Sequence, residues 1–508
     1  MRKNILLVVI FAFACFGLMA QTMTTIAPAI CKARQAYGMV SKILDGDEST
    51  LYLYSQDFFA APSRDKESDA LFTINVAQSE VSQVALNRPK NIEFFNAIES
   101  ESEVIGFYYE ENNKEGVVTL YMNKISKNDE APAWDPILLN TFPSEKKDNN
   151  FSYLAVSPDK SKAVLCYMSA AKKGDFKGSM VMTFDNTGER IWDTELELDF
   201  SNRTFNVLDM VITDEAEVYV SMVSYKMAGK NTRTNEQLHM YEINSNGINT
   251  RTEDISFGYI SNGRMLISRN GDVCLGGFYC TNTKENENGT YMMRYDTKYS
   301  SIKSVNNQNF PSSYKEKAVS KFFSSTVTNQ NCYVTADKLV EFANGNVALL
   351  GEQRNITKVV DNKGMVTYNY FAKHIMFTLS DENGDIIDFK MFDKDQATAT
   401  GSMAYSFESV GLSYFPFFKD DKIYMIFADN IDNFSGEGGN SIKMFMNNKH
   451  CTAMLVVDDS GKESKQQLIN SKLAKGRLYT PLSIEDDGFM IIFVDKKSTN
   501  ISKLNVEL

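Results

Sequence analysis

Two neighbouring stretches decide how this chain is read: Ser157-Pro-Asp-Lys-Ser-Lys-Ala-Val-Leu-Cys166 and, thirteen residues on, Ser179-Met-Val-Met-Thr-Phe-Asp-Asn-Thr-Gly188. The first is a polar turn followed by an apolar run. The second is an alternating strand that ends in an Asp-Asn-x-Gly turn. Asp and Asn close their own backbone turns, and Gly accepts the positive φ that tight hairpins require. Together they read as antiparallel strands joined by short turns.

The same pair of signals recurs along the chain. Turns of the first kind introduce apolar strands beginning at Leu51, Val104, Ala163, Val218, Val273, Val347, Ile423 and Phe489, at intervals of 53, 59, 55, 55, 74, 76 and 66 residues. Turns of the second kind fall between them, at Asp185–Gly188, Asn244–Gly247, Ser380–Gly384 and Asp458–Gly461. Each period therefore holds about four strands. Helical periodicity is nearly absent, with Ser312–Phe323 the one stretch to consider. Four antiparallel strands repeated at this period are the signature of β-propeller blades, because radial packing buries both faces of each small sheet. The fold expected is all-β, a single propeller of four-stranded antiparallel blades, eight favoured and seven the alternative. The last module, from about Leu478, holds three strands, so the segment after Gln21 is expected to supply the fourth and close the ring. Trp134-Asp135 and Trp192-Asp193, 58 residues apart, are expected at equivalent places in blades two and three. Neither has the Gly-His partner of a WD40 repeat.

Arg2 and Lys3, the apolar run Ile5–Gly17 and the small residue Ala20 form the three parts of a secretory signal. Residues 1–20 are read as that signal and 21–508 as the propeller. No later run has eighteen consecutive apolar residues. The formal charge of −12 and pI near 5.1 argue against a nucleic-acid partner, which needs a basic surface. The mature chain keeps six cysteines, Cys31, Cys166, Cys274, Cys280, Cys332 and Cys451. An exported chain permits disulfides among them. Cys166 and Cys274, inside apolar runs, read as buried free thiols.

His239, His374 and His450 are the only histidines, and each reads as a strand residue. The sequence has no HExxH, GxSxG, Walker or Rossmann motif. Acids are plentiful, but most sit in turns, where backbone hydrogen bonding explains them. The loop Asp429-Asn-Ile-Asp-Asn-Phe-Ser-Gly-Glu-Gly-Gly-Asn440 concentrates oxygen donors, and Asp429, Asp432 and Glu437 are its candidate calcium ligands. No other cofactor is expected. Longer loops in blades five to seven make those blades the expected ligand surface.

The leader ending Met19-Ala20-Gln21 and turn strings such as Asp185-Asn-Thr-Gly188 and Ser157-Pro-Asp159 resemble uncharacterised exported β-propeller-like proteins of Gram-negative, Bacteroidota-type bacteria. That resemblance implies export. The strand-like end Asn500–Leu508, with no separate sorting domain, favours the periplasm over the cell surface. The function expected is a non-enzymatic binding or scaffold module for a protein or glycan partner, as a monomer or part of an envelope complex. The alternative is a hydrolase or lyase acting on glycan or peptide through carboxylates at the funnel of the ring.

Overall fold

A computed structural model describes residues 91–280, with short breaks, and 288–312, 333–400, 412–434 and 450–470. It also describes residues 88–89 and the strand backbone at 23–24, 39–46, 50–56, 69–75, 80–86, 477–484, 488–494 and 499–505. The signal segment, Cys31, Cys332, Glu437 and the proposed helix beyond Ser312 lie outside the described residues.

The described strands form eight antiparallel sheets, numbered here in chain order, of four strands each except the sixth, which has five. All eight strand starts read from the sequence fall at the head of a second strand, from Thr50–Gln56 in sheet one to Gly488–Val494 in sheet eight. First strands of neighbouring sheets touch one another from sheet one to sheet six, from seven to eight, and from eight back to one. They are thus the inner strands of a β-propeller. Met23–Thr24 pairs with Thr499–Asn505 as the fourth strand of sheet eight.

The continuous apolar runs have a direct cause. In the second strand of sheet three, Val164, Cys166 and Met168 pack against Val218, Val220 and Met222 of sheet four. The alternate residues Ala163, Leu165 and Tyr167 pack against Phe107 and Leu120 of sheet two. A strand covered on both faces has no polar face to show. Sheets six and seven meet in the same way through Leu350, Phe377, Met425 and Leu455. Each such side chain contributes about 1.5–3 kcal/mol of burial. Cys166, Cys274 and Cys451 are free thiols and, like Cys280, are buried, and burial pushes the Cys166 thiol up to about 12.

Six inner strands carry a register shift, among them Ala336/Lys338 in sheet six and Ile260/Asn262 in sheet five. A bulge bends the inner strand and pushes its backbone toward the next strand. Gly277, facing the carbonyl of Asn262 at such a bulge, has no room for a Cβ. The extra curvature also aims polar side chains at the neighbouring sheet. Asn262 donates to the Val334 carbonyl at 2.8 Å and accepts from the Ala336 N–H at 2.9 Å. Asp209 accepts from the Met265 N–H at 2.7 Å.

Short turns between first and second strands and between third and fourth strands gather at one end of the ring. There Asp185 Oδ1 accepts from the N–H groups of Thr187 and Glu189, both at 2.9 Å, while Gly188 holds φ +79°. Asp381 and Asp458 repeat the arrangement. Acids of the first turn type also stitch successive sheets. The Asp159 N–H donates to Asp214, the Arg269 N–H to Glu341, and the Ala343 N–H to Asp421, at 3.1, 2.7 and 2.6 Å.

Two particulars differ from the sequence reading. Trp192 lies inside the outer strand Arg190–Glu195, with Nε1 donating to the Ala216 carbonyl at 3.1 Å. Trp134 precedes its outer strand, Ile137–Pro143, and packs edge-on against Tyr108 at 4.9 Å, because a longer connection follows the third strand there. Sheet six also gains a fifth strand, Gln396–Thr400, paired to the outer half of its long third strand.

Candidate functional site at the loop end

The opposite end of the ring collects the long connections. At that end, between sheets six and seven, lies a nest of buried charge. Glu352, on the second strand of sheet six, is fully buried. Its carboxylate meets Lys394 Nζ at 2.6 Å on one oxygen and Arg354 Nε at 2.7 Å on the other. The Ser413 hydroxyl donates to that second oxygen at 2.7 Å and accepts from Arg354 Nη2 at 2.8 Å. Arg354 Nη2 also lies 3.4 Å from Asp337, whose carboxylate accepts from Thr335 at 3.0 Å. Lys394, itself fully buried, donates to Gln396 at 2.8 Å. Gln396 in turn accepts from the Ser413 N–H at 2.7 Å and donates to the Ala428 carbonyl at 2.7 Å.

The geometry has a local logic. Glu352 and Arg354 are two apart on one strand and share a face. Asp337 sits at the bulge of the adjoining inner strand. Lys394 and Ser413 arrive from the two ends of the connection between sheets six and seven. Ser413 holds φ +95°, a conformation that costs a non-glycine residue of order 1–3 kcal/mol and is held here by its three bonds. Two acids, Asp337 and Glu352, face two cations, Arg354 and Lys394, so the nest is balanced.

Its two carboxyls are driven apart. Burial pushes Asp337 up to about 6, with Arg354 opposing and the Glu352 charge reinforcing the rise. Glu352 goes the other way: burial opposes its ionisation, but Lys394 and Arg354 together outweigh burial and hold it below the ordinary glutamate range. Burial lowers Lys394 against the pull of Glu352. Tyr414, beside Asp337, is raised well above the usual phenol by burial and by the two carboxylates. Chemically, the nest can keep one carboxyl partly protonated near neutrality beside one that stays ionised.

Of the calcium candidates, Asp429 and Asp432 lie among the described residues. Asp429 is fully buried at the end of its strand. One oxygen accepts from the Asn430 N–H at 2.8 Å and from Asn433 at 2.7 Å, and the other meets Lys465 Nζ at 2.7 Å. Lys465 also lies over the rings of Phe427 and Phe434, at 5.2 and 5.3 Å, and takes the electrostatic place of a cation at Asp429. Asp432 sits in the 3-10 turn Ile431–Asn433, and Glu437 falls outside the described residues. Among the described residues, no group of three or more His, Cys, Asp or Glu is arranged to hold a metal ion.

His239 is buried, with Nε2 2.9 Å from the Ser224 hydroxyl and its ring 4.9 Å from that of Phe200. His374 Nδ1 lies 3.2 Å from Asp393, at the margin of the nest. The sequence reading singled out no carboxylate pair. The available signal was Glu352-Gln-Arg354, two charges directly after the apolar run Val347–Leu350 of the second strand.

Ring and nest define a β-propeller with one stitched end and one loop end. No family model and no curated protein matches the chain. Solved structures are similar to the chain at low identity. A protein of unknown function from Bacteroides caccae is 14% identical over 64% of this chain and 90% of its own, with a TM-score of 0.29. The β-propeller domain of the Trilobed protease from Pyrococcus furiosus is 10% identical over 86% and 97%, at 0.34. A polysaccharide lyase of the PL25 ulvan lyase family is 9% identical over 96% of each chain, at 0.40.

Proposed function

We propose that the chain is an exported binding or scaffold propeller, working in the periplasm, whose ligand surface is the loop end over sheets six and seven. Residues 1–20 are its signal segment. The ring is eight-bladed and closed by the strand Met23–Thr24. The observation that carries the reading is the division of labour between the two ends. Acids at the turn end are spent on backbone turns and on stitching adjacent sheets. The loop end is where the strands joined by the long connections finish, and there a charge nest ties sheet six to Ser413 ahead of sheet seven, a rigid base of the kind that carries binding loops. The partner expected is a protein or a glycan.

One observation favours the hydrolase or lyase reading: Asp337 and Glu352 share Arg354 and are pushed in opposite directions, the pattern of an acid–base pair. The burial of Glu352 and its saturation by Lys394, Arg354 and Ser413 favour bracing. A panel of bacterial glycans and peptides offered to the purified mature chain separates the two readings. Saturable binding without product is expected. Product formation that Asp337→Asn abolishes would replace the binding reading with the catalytic one.

A further inference from the structure

We propose that two long hairpins at the loop end seat the protein on an anionic lipid surface. In sheets one, two, three, five, seven and eight the second strand runs seven to ten residues. In sheet four it runs twelve, Val218–Gly229, and in sheet six fourteen, Val347–Val360. Both stay paired with their third strands to the end, at Gly229–Thr232 and Val360–Val366. At about 3.3 Å per residue the second strand is longer than those of the other six sheets by at least about 7 Å in sheet four and at least about 13 Å in sheet six.

The tip of the sheet-six hairpin carries both charge and apolar surface. Residues 358–365 are all exposed, with Val359 at 41%, Val360 at 56% and Met365 at 66%. Lys358 and Lys363 flank them. Asp361, the one acid, accepts from the N–H groups of Lys363 and Met365 at 2.8 Å each. In sheet four the exposed Lys226 precedes Met227, whose strand partner is Arg233, and no acid lies between Tyr225 and Asn235.

The apolar side chains decide the class of surface. A nucleic acid or a sulfated glycan would engage the lysines and leave Val359, Val360 and Met365 in water. A bilayer interface takes both, with lysine stems lying along the acyl boundary and ammonium groups at the phosphates. Lys358 pairs across the hairpin with Tyr368, two residues below the Val360–Val366 pair. That spacing puts a Lys–Tyr collar about 7 Å behind the tip, within the depth of interfacial insertion. Among the described residues no helix is long and apolar enough to cross a membrane, and the hairpins need none.

The test is sedimentation of the purified mature chain with vesicles of phosphatidylethanolamine and phosphatidylglycerol, against vesicles of phosphatidylcholine alone. Binding to the anionic vesicles that weakens with salt is expected. Val360→Asp with Met365→Asp should weaken it about tenfold, and Lys358→Glu with Lys363→Glu by about tenfold or more. All four positions are exposed, so an unchanged thermal melt shows that the variants keep the fold. No sedimentation with anionic vesicles overturns the proposal. So does vesicle binding that the apolar pair leaves intact while the lysine pair abolishes it together with retention on a sulfated polysaccharide column, since the lysines would then be serving a polyanion.

Discussion

Glu352→Leu is expected to cost about 3–5 kcal/mol, read as a lower urea midpoint with little change in slope. The substitution leaves Lys394, fully buried, and Arg354 facing each other without the carboxylate that both touch. It also removes the acceptor that holds the Ser413 hydroxyl. Lys394→Met alone should cost less, because Arg354 and Ser413 still satisfy Glu352. The double variant Glu352→Leu with Lys394→Met should recover part of the loss, since replacing a buried pair by apolar residues is often nearly neutral. A single variant as stable as the native chain would mean that water reaches this nest.

The second large effect is a pH dependence centred on Asp337. Its folded-state pKa, about 6, lies above the ordinary aspartate value near 3.8. Between those values the folded chain holds a proton that the unfolded chain has released. This group's contribution therefore weakens as pH rises from about 4 to 6 and is flat above. Asp337→Asn keeps a neutral group there at every pH. Relative to the native chain the variant should gain on the order of 2 kcal/mol between pH 4 and pH 7, measured by denaturation at several pH values. If Arg354 dominated instead, Asp337 would have a depressed pKa and the variant would lose stability over that interval.

The repeat was legible because its signals are local. A second strand covered on both faces must be apolar throughout, and a tight turn must carry Asp or Asn with Gly, so Ala163–Cys166 and Asp185–Gly188 announce themselves. The fifth strand of sheet six was not legible. Gln396-Ala-Thr-Ala-Thr400 is short and its only apolar residues are two alanines, and its partner, Tyr368–Ala372, lies more than twenty residues earlier. The nest was hidden for the same reason. Asp337, Glu352, Lys394 and Ser413 come from four separate segments, which strand pairing within sheet six and the approach of Ser413 ahead of sheet seven bring together. In sequence a turn acid signals service to its own backbone, as Asp185 shows. That Asp214, Glu341 and Asp421 also serve the preceding sheet depends on the ring, which no single period contains. At the loop Asp429–Asn440 the oxygen donors were visible, but Lys465, 36 residues beyond Asp429, was not a local signal.

The most direct test of the loop end as the working end is lysine acylation of the protein in intact cells, compared with the purified chain. Lys226, Lys358 and Lys363 stand exposed at the loop end, and Lys160 and Lys298 at the turn end. The loop-end lysines should be protected several-fold in cells while the turn-end lysines label equally in both states. Protection of Lys160 and Lys298 with free labelling of Lys358 and Lys363 would contradict the account.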